Sequence, residues 1–244
     1  HTMHAKNLKI SNKLTDLSDT QISHMAKIVS NYFPDQKLME ETVRSHIKQA
    51  DTVRLALCDD VIVGFSVASK YKMMTPFYNQ PVNVLYQRML YLDPDFLYRG
   101  AGIKLLSVTM KDLFGWLWPL KRIVAFCRTQ NPVVAKFMNM YDVSYPQYNQ
   151  SLPAEIGKFA DSLLPYLGAE LLDEKFRLVG TLATFRGADY TGIWNRYLHR
   201  RKNDYEKLML NSAFEEKDGR IINSGAFVLM IAYAKPLRFI RYII

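Results

Sequence analysis

LDPDFLYRGAGIKLL, residues Leu92 to Leu106, joins an apolar run to a segment with helical spacing through a proline and two glycines flanking one alanine. A chain that leaves a strand, turns through glycines and enters a helix aims the helix's free backbone N–H groups at the turn. The positive end of the helix dipole points the same way. Such a turn can hold a phosphate, because glycine removes the side chain that would keep the anion away. Arg99 adds a cation able to make a charge-assisted contact. The plainer reading is a tight turn without a ligand. The motif alone does not separate the two: G-x-G-x-x-G is absent because position 105 is leucine, and there is no Walker-type loop.

Working outward, Val82–Leu92 (VNVLYQRMLYL) reads as a strand rich in β-branched, aromatic and large apolar residues. Upstream, Thr52–Lys72 is two β-rich runs around Asp59-Asp60, an antiparallel hairpin, followed by a loop marked by Pro76, Asn79 and Pro81. Thr20–Val29 and Leu38–Ala50 have apolar residues at three- and four-residue spacing and read as helices. Downstream, Ile103–Trp118 carries an amphipathic stripe that Pro119 helps end. Leu120–Arg128 is a short strand. Asn131 then caps a helix whose first position is Pro132. The middle of the chain therefore runs β-β-β-α-β-α, an α/β or α+β domain.

Beyond Tyr141, Ser151–Leu167 reads as a helix cut by Pro165, and Asp189–Leu210 as a longer helix carrying HRRK (His199–Lys202). Between them FRLVGTLATF is a strand or an irregular connection. Ala226–Tyr233, within GAFVLMIAY, is a strong strand bounded by Gly225 and Pro236. No repeat or Ser/Gly linker interrupts the chain. We expect one domain over residues 4–244, with 151–225 as a largely helical insertion.

The bulk properties fit a soluble globular protein: 244 residues, 49% hydrophobic and 23% charged. The opening HTM reads as a vector remnant with no signal peptide behind it, and Ala226–Ala234 is far shorter than the roughly 20 residues of a membrane helix. Two cysteines, Cys58 and Cys127, sit in apolar runs without a partnering histidine, which fits a reducing cytoplasm and argues against a disulfide framework, a thiol nucleophile or a metal centre. His24 and His46 read as surface or half-buried residues, and the Asn149-Gln150-Ser151 sequon carries no weight. The net charge of +9 favours a polyanionic partner, but its basic residues are scattered and no nucleic-acid reading motif accompanies them.

The segment around the glycines resembles the signature of the GCN5-related N-acetyltransferase (GNAT) superfamily: a strand leading to proline, a Q/R-x-x-G-x-G/A loop, then a helix opening on paired apolar residues. Aligned on Pro94, the loop is Leu97-Tyr98-Arg99-Gly100-Ala101-Gly102, followed by Ile103 and the pair Leu105-Leu106. Leu97 departs from the pattern, which usually has Gln or Arg there. The resemblance covers roughly residues 8–145 and the final strand. It implies a GNAT-like mixed, mostly antiparallel central sheet with helices on both faces. It implies acetyl-CoA, or another acyl-CoA, as co-substrate: its pyrophosphate on the glycine loop, its pantetheine in the gap between the fourth and fifth strands against the backbone of Leu90, Tyr91 and Leu92. Asn131 matches the Asn typical of the next helix.

Direct acyl transfer to an amine needs a polarised thioester carbonyl, a proton for the departing thiolate and a base for the amine. The resemblance puts the carbonyl near the N–H of Tyr91 or Leu92. It places the acid, usually a tyrosine, at Met138. Tyr141, three residues on and nearly on the same helical face, is the candidate, with Tyr145 and Tyr148 as alternatives and packing beneath the last strand as the plain reading. The fourth strand carries no carboxylate, and Asp93 at its end serves equally as a turn cap. Tyr71, Tyr78, Tyr86 and Tyr91 read as core or as acceptor-cleft lining. The rival readings are a non-catalytic acyl-CoA-binding or regulatory module, and a nucleic-acid or membrane-surface protein using HRRK and the 236–244 tail. The acceptor stays open between a small molecule and a peptide, and a homodimer is possible.

Overall fold

The computed structural model describes residues 8–96, 100–168, 171–179, 183–199 and 203–239. The chain divides into two compact units, one of His1–Tyr71, Leu85–Lys121 and Phe239–Ile244, the other of Lys72–Val84 and Arg122–Arg238.

The first unit opens with β1 (Leu8–Ile10), α1 (Asp19–Ser30) and α2 (Gln36–Lys48). Ser18 and Gln21 form a reciprocal capping box on α1, and Asp35 caps α2 through the Leu38 N–H. β2 (Thr52–Cys58) pairs antiparallel with β1 and with β3 (Val61–Thr75). Asp59 and Asp60 have φ of 48° and 63°, the left-handed pair that a two-residue hairpin requires. β4 (Tyr78–Leu92) leads through a single 3₁₀ turn, Pro94–Phe96, to α3 (Ala101–Phe114).

The two faces of this part of the sheet are marked by adjacent residues of β3. Ser69 donates to the Gln49 carbonyl at the end of α2, and Lys70 donates to the Leu113 carbonyl of α3. On the α3 side a two-pronged ion pair, Arg54 to Asp112 at 2.5 and 2.7 Å, ties the helix to β2. Thr52 joins it by donating to the same carboxylate at 2.7 Å.

The second unit contains β5 (Ile123–Thr129), α4 (Pro132–Met138), β6 (Val143–Tyr145), α5 (Ala154–Leu167), β7 (Leu171–Leu172) and β8 (Arg177–Val179). There follow α6 (Thr191–Ile193), α7 (Asp204–Ser212), β9 (Phe214–Lys217), β10 (Arg220–Asn223) and β11 (Phe227–Ala234). Its core is the antiparallel β5–β11 pair, in register from Val228 opposite Thr129 to Ala234 opposite Ile123, with nearly every residue buried. Both strands are continuous apolar runs because both their faces are covered. A reciprocal amide pair, Gln130 with Asn223, satisfies the polar groups at its buried end. Along the sheet the order is β1-β2-β3-β4-β5-β11-β8-β7, with β6 also on β11. The pairs are mostly antiparallel and β4–β5 is parallel, the mixed sheet expected from the sequence.

Several boundaries differ from the sequence reading. The loop placed over Pro76–Pro81 shrinks to a two-residue turn, and Asn79 and Pro81 lie inside β4. Both are exposed near the hairpin tip, where a missing ladder donor is tolerated. α3 ends at Phe114 and not at Trp118, because Gly115 adopts a φ of 81° as its cap; Pro119 belongs to a separate 3₁₀ turn. Pro165 does not cut α5: it falls in the last turn, two residues before the helix ends, so little helix is left to disrupt.

The helix expected over Asp189–Leu210 is broken. α6 runs into a π-type turn over Trp194–Leu198, His199 is extended, and Asn203 starts α7 afresh by accepting from the Tyr205 and Glu206 N–H groups. Arg200, Arg201 and Lys202 of HRRK lie outside the described residues, as does most of the 236–244 tail. The β9–β10 hairpin escaped the reading although its Asp218-Gly219 turn is a standard hairpin signal.

Candidate functional site

In the first unit, the end of β4 departs from regular strand geometry. On the α3 side Gln87 donates to Ser66 Oγ, which also accepts from Thr109 of α3. Leu90 and Leu92 pack on that same side, with Leu105, Cys58 and Val63. On the opposite side Arg88 bonds to Gln49, and the Tyr91 ring lies 5.8 Å from those of Tyr32 and Phe65. Strict alternation would group 87 with 91 and 88 with 90. The observed grouping, 87 with 90 and 88 with 91, requires one inserted residue near Met89, which is the mark of a β-bulge. A bulge leaves one residue out of the ladder, and here the Gln87 amide donates to the Met89 carbonyl at 2.8 Å. Leu90 and Leu92 are half-buried, with their side chains turned against the core cluster of Ala56, Cys58, Val63 and Leu105.

Close packing fixes the strand end in place. A Cβ on Gly64 would fall 2.4 Å from Leu92 Cδ2 and 2.9 Å from the Tyr91 carbonyl oxygen, so any side chain here forces the strand end to shift. Asp93 donates its N–H to the Val63 carbonyl and accepts the Asp95 N–H on its carboxylate, at 2.8 and 3.0 Å. It is a turn cap, as one of its two readings had it. Tyr32 donates to the Leu92 carbonyl at 3.3 Å.

The two glycines of the loop differ in what they do. Gly100 is the N-cap of α3 with φ 73°, a left-handed conformation that side chains disfavour, and among the described residues no side chain caps the helix. Lys104 N–H bonds to the Gly100 carbonyl, so the N–H groups of Ala101, Gly102 and Ile103 have no acceptor within the helix. Gly102 is explained by neither backbone nor packing. It is helical, and a Cβ there would sit 3.4 Å from Leu92 Cδ1, an ordinary contact. Its bare backbone leaves the first turn of the helix open. Leu97, Tyr98 and Arg99 lie outside the described residues.

Asn131 and Tyr141 belong to the second unit. Asn131 caps α4 as expected, its side chain accepting from the Val133 N–H at 2.9 Å. The helix ends at Met138, so Tyr141 does not continue its face but follows in a turn. It is 2% exposed, its carbonyl accepting from Arg238, and burial, with Cys127 close by, pushes its phenol well above the usual tyrosine range. Tyr145 is paired in β6 with Ile231, and Tyr148 lies under Lys207. Tyr148 also lines an open cleft of about 330 Å³ with Asn149, Lys175 and Asn211.

Burial pushes the Cys127 thiol up to about 12, which makes it a poor nucleophile. Among the described residues no cluster of His, Cys, Asp and Glu could hold a metal, and no helix is long and apolar enough to cross a membrane. β4 carries no carboxylate.

No protein-family model matches the sequence, and no curated protein matches it. Solved structures similar to this chain include the protein PH1933 from Pyrococcus horikoshii OT3, 21% identical over 55% of this chain and 86% of that one, with a TM-score of 0.43. A candidate acetyltransferase of the GNAT family from Desulfovibrio desulfuricans is 14% identical over 58% and 88%, at 0.41. The aminoglycoside N-acetyltransferase AAC(6')-Iy, solved with a CoA-linked bisubstrate analogue, is 19% identical over 55% and 88%, at 0.39.

Proposed function

We propose that the protein is an acyl-CoA-dependent N-acyltransferase, using acetyl-CoA as donor and an amine as acceptor. The observation that carries this reading is Gly102, a helical glycine that the fold does not need, in the uncapped first turn of α3 at the end of a bulged strand. A phosphate approaching to hydrogen-bond distance of that turn uses both the missing Cβ and the free N–H groups. Anchoring of the pyrophosphate on the N–H groups of Ala101, Gly102 and Ile103 follows, with the thioester carbonyl on backbone of the Leu90–Leu92 stretch.

Bound acetyl-CoA supplies the acyl carbon: the amine nitrogen bonds to it, the C–S bond breaks, and the thiolate takes up a proton. The chain's own contribution is mostly positional. A backbone donor held by the bulge stabilises the developing oxyanion without reorganising, because Gly64 and Leu92 lock that backbone in place. The thiolate takes its proton from water. Water takes the amine proton, since β4 offers no carboxylate.

The test is calorimetric binding of acetyl-CoA to wild type and to Gly100→Glu, followed by turnover with a panel of amines. Micromolar binding lost in the variant, together with turnover, is the expected result. Binding without turnover on any amine would replace the enzyme with an acyl-CoA-binding module.

A further inference from the structure

We propose that Arg88 recognises a carboxylate on the acceptor, so that the preferred substrate is an amine whose carboxylate lies within about 10 Å of the nitrogen. This rests on the acyltransferase reading for the word acceptor, but the anion site itself does not depend on it.

Arg88 lies in β4 just before the bulge and is 7% exposed. Its Nε donates to Ser69 Oγ at 2.6 Å, Nη1 to Gln49 Oε1 at 3.1 Å and Nη2 to the Tyr71 hydroxyl at 2.8 Å. The guanidinium also lies over the Tyr86 ring, 4.7 Å from its centre. Every one of these partners is neutral, and Arg88 enters no ion pair among the described residues. The contacts occupy three of its five N–H donors.

A buried cation without a counterion is costly, and a structural strut between α2 and the sheet could be made by a neutral side chain. Elsewhere in the same unit the chain does pair a nearly buried arginine, giving Arg54 the Asp112 carboxylate. Arg88 is left with a fork of donors suited to a planar carboxylate. Gln49 is exposed and Tyr71 half-buried, so the two partners holding the Nη atoms are reachable from solvent and can yield to an anion.

Three residues separate Arg88 from Tyr91, no more than about 10 Å along a strand, and both side chains face the α1 and α2 side. A carboxylate on Arg88 thereby sets the distance at which the amine meets the strand end. Short ω-amino carboxylates and small peptides have that span.

The experiment titrates ω-amino carboxylates, from 3-aminopropanoate to 6-aminohexanoate, and the matching carboxamides into wild type, Arg88→Met and Arg88→Lys. Acetyl-CoA is titrated separately into each. The proposal expects at least one carboxylate to bind wild type about tenfold or more tightly than its amide. Arg88→Met should abolish that preference and Arg88→Lys weaken it, with acetyl-CoA affinity unchanged in both. In turnover the loss should appear in KM for the carboxylate acceptor. Equal binding of acid and amide throughout the series, or none of either, overturns the proposal even if Arg88→Met fails to fold. Failure of acetyl-CoA to bind would instead remove the acyltransferase reading.

Discussion

Replacing Gly102 with alanine should push stability and ligand binding in opposite directions. Among the described residues the added Cβ meets only Leu92 Cδ1, at 3.4 Å, and that packing accepts it. Alanine is a better helix former than glycine by up to about 1 kcal/mol, and it narrows the unfolded ensemble. We therefore expect a gain of roughly 0.5–1 kcal/mol, or about 1–4 °C in Tm for a domain of this size. The methyl group also projects from the first turn of α3, where the phosphate is to approach, and should weaken acetyl-CoA binding by at least about tenfold. Gly100→Ala makes the internal control. Its Cβ has open space around it, but φ of 73° strains any side chain, so this variant should lose about 1 kcal/mol. Differential scanning calorimetry and isothermal titration on the same preparations read both quantities. A Gly102→Ala protein that is stabilised and binds acetyl-CoA as well as wild type would refute the assignment of this glycine to the ligand.

Gly64→Ala should destabilise by about 1–3 kcal/mol in urea unfolding, because its Cβ collides with Leu92 and with the Tyr91 carbonyl; a stability equal to wild type would show that the strand end is not locked. Asp112 is a pH-dependent support. Burial alone would raise its pKa, but hydrogen bonds from Arg54 and Thr52, with the Arg54 charge, outweigh it and hold the carboxyl below its ordinary 3.8. A depressed pKa contributes stability that is full above about pH 4 and is lost as pH falls through the folded value. Asp112→Asn should thus cost about 3 kcal/mol at pH 7 and show a shallower acid decline; parallel curves for the two proteins would contradict this.

The hairpin at Asp59-Asp60, the cap at Asn131 and the strand over Ala226–Tyr233 were legible because each rests on local chemistry: a turn type, a side-chain acceptor, an unbroken apolar run. The glycine loop was legible as well, although the reason for each glycine was not. Gly100 serves a backbone angle and Gly102 does not, a difference that only coordinates separate. The bulge in β4 left no trace in composition, since it depends on which residues of β3 and α3 stand opposite. Arg88 did leave one: Gln87-Arg88 interrupts an otherwise apolar strand, a polar pair that a buried strand tolerates only with partners. The long helix expected over Asp189–Leu210 failed because periodicity was read across Asn203, a residue that caps a new helix and does not continue an old one.

The most direct test of the central claim is a calorimetric titration of the wild-type protein, shown to be folded, with acetyl-CoA. The account predicts saturable binding in the micromolar range, at one site per chain. Absence of heat and of any thermal shift at millimolar acetyl-CoA would leave the glycines as a turn and contradict the acyltransferase assignment.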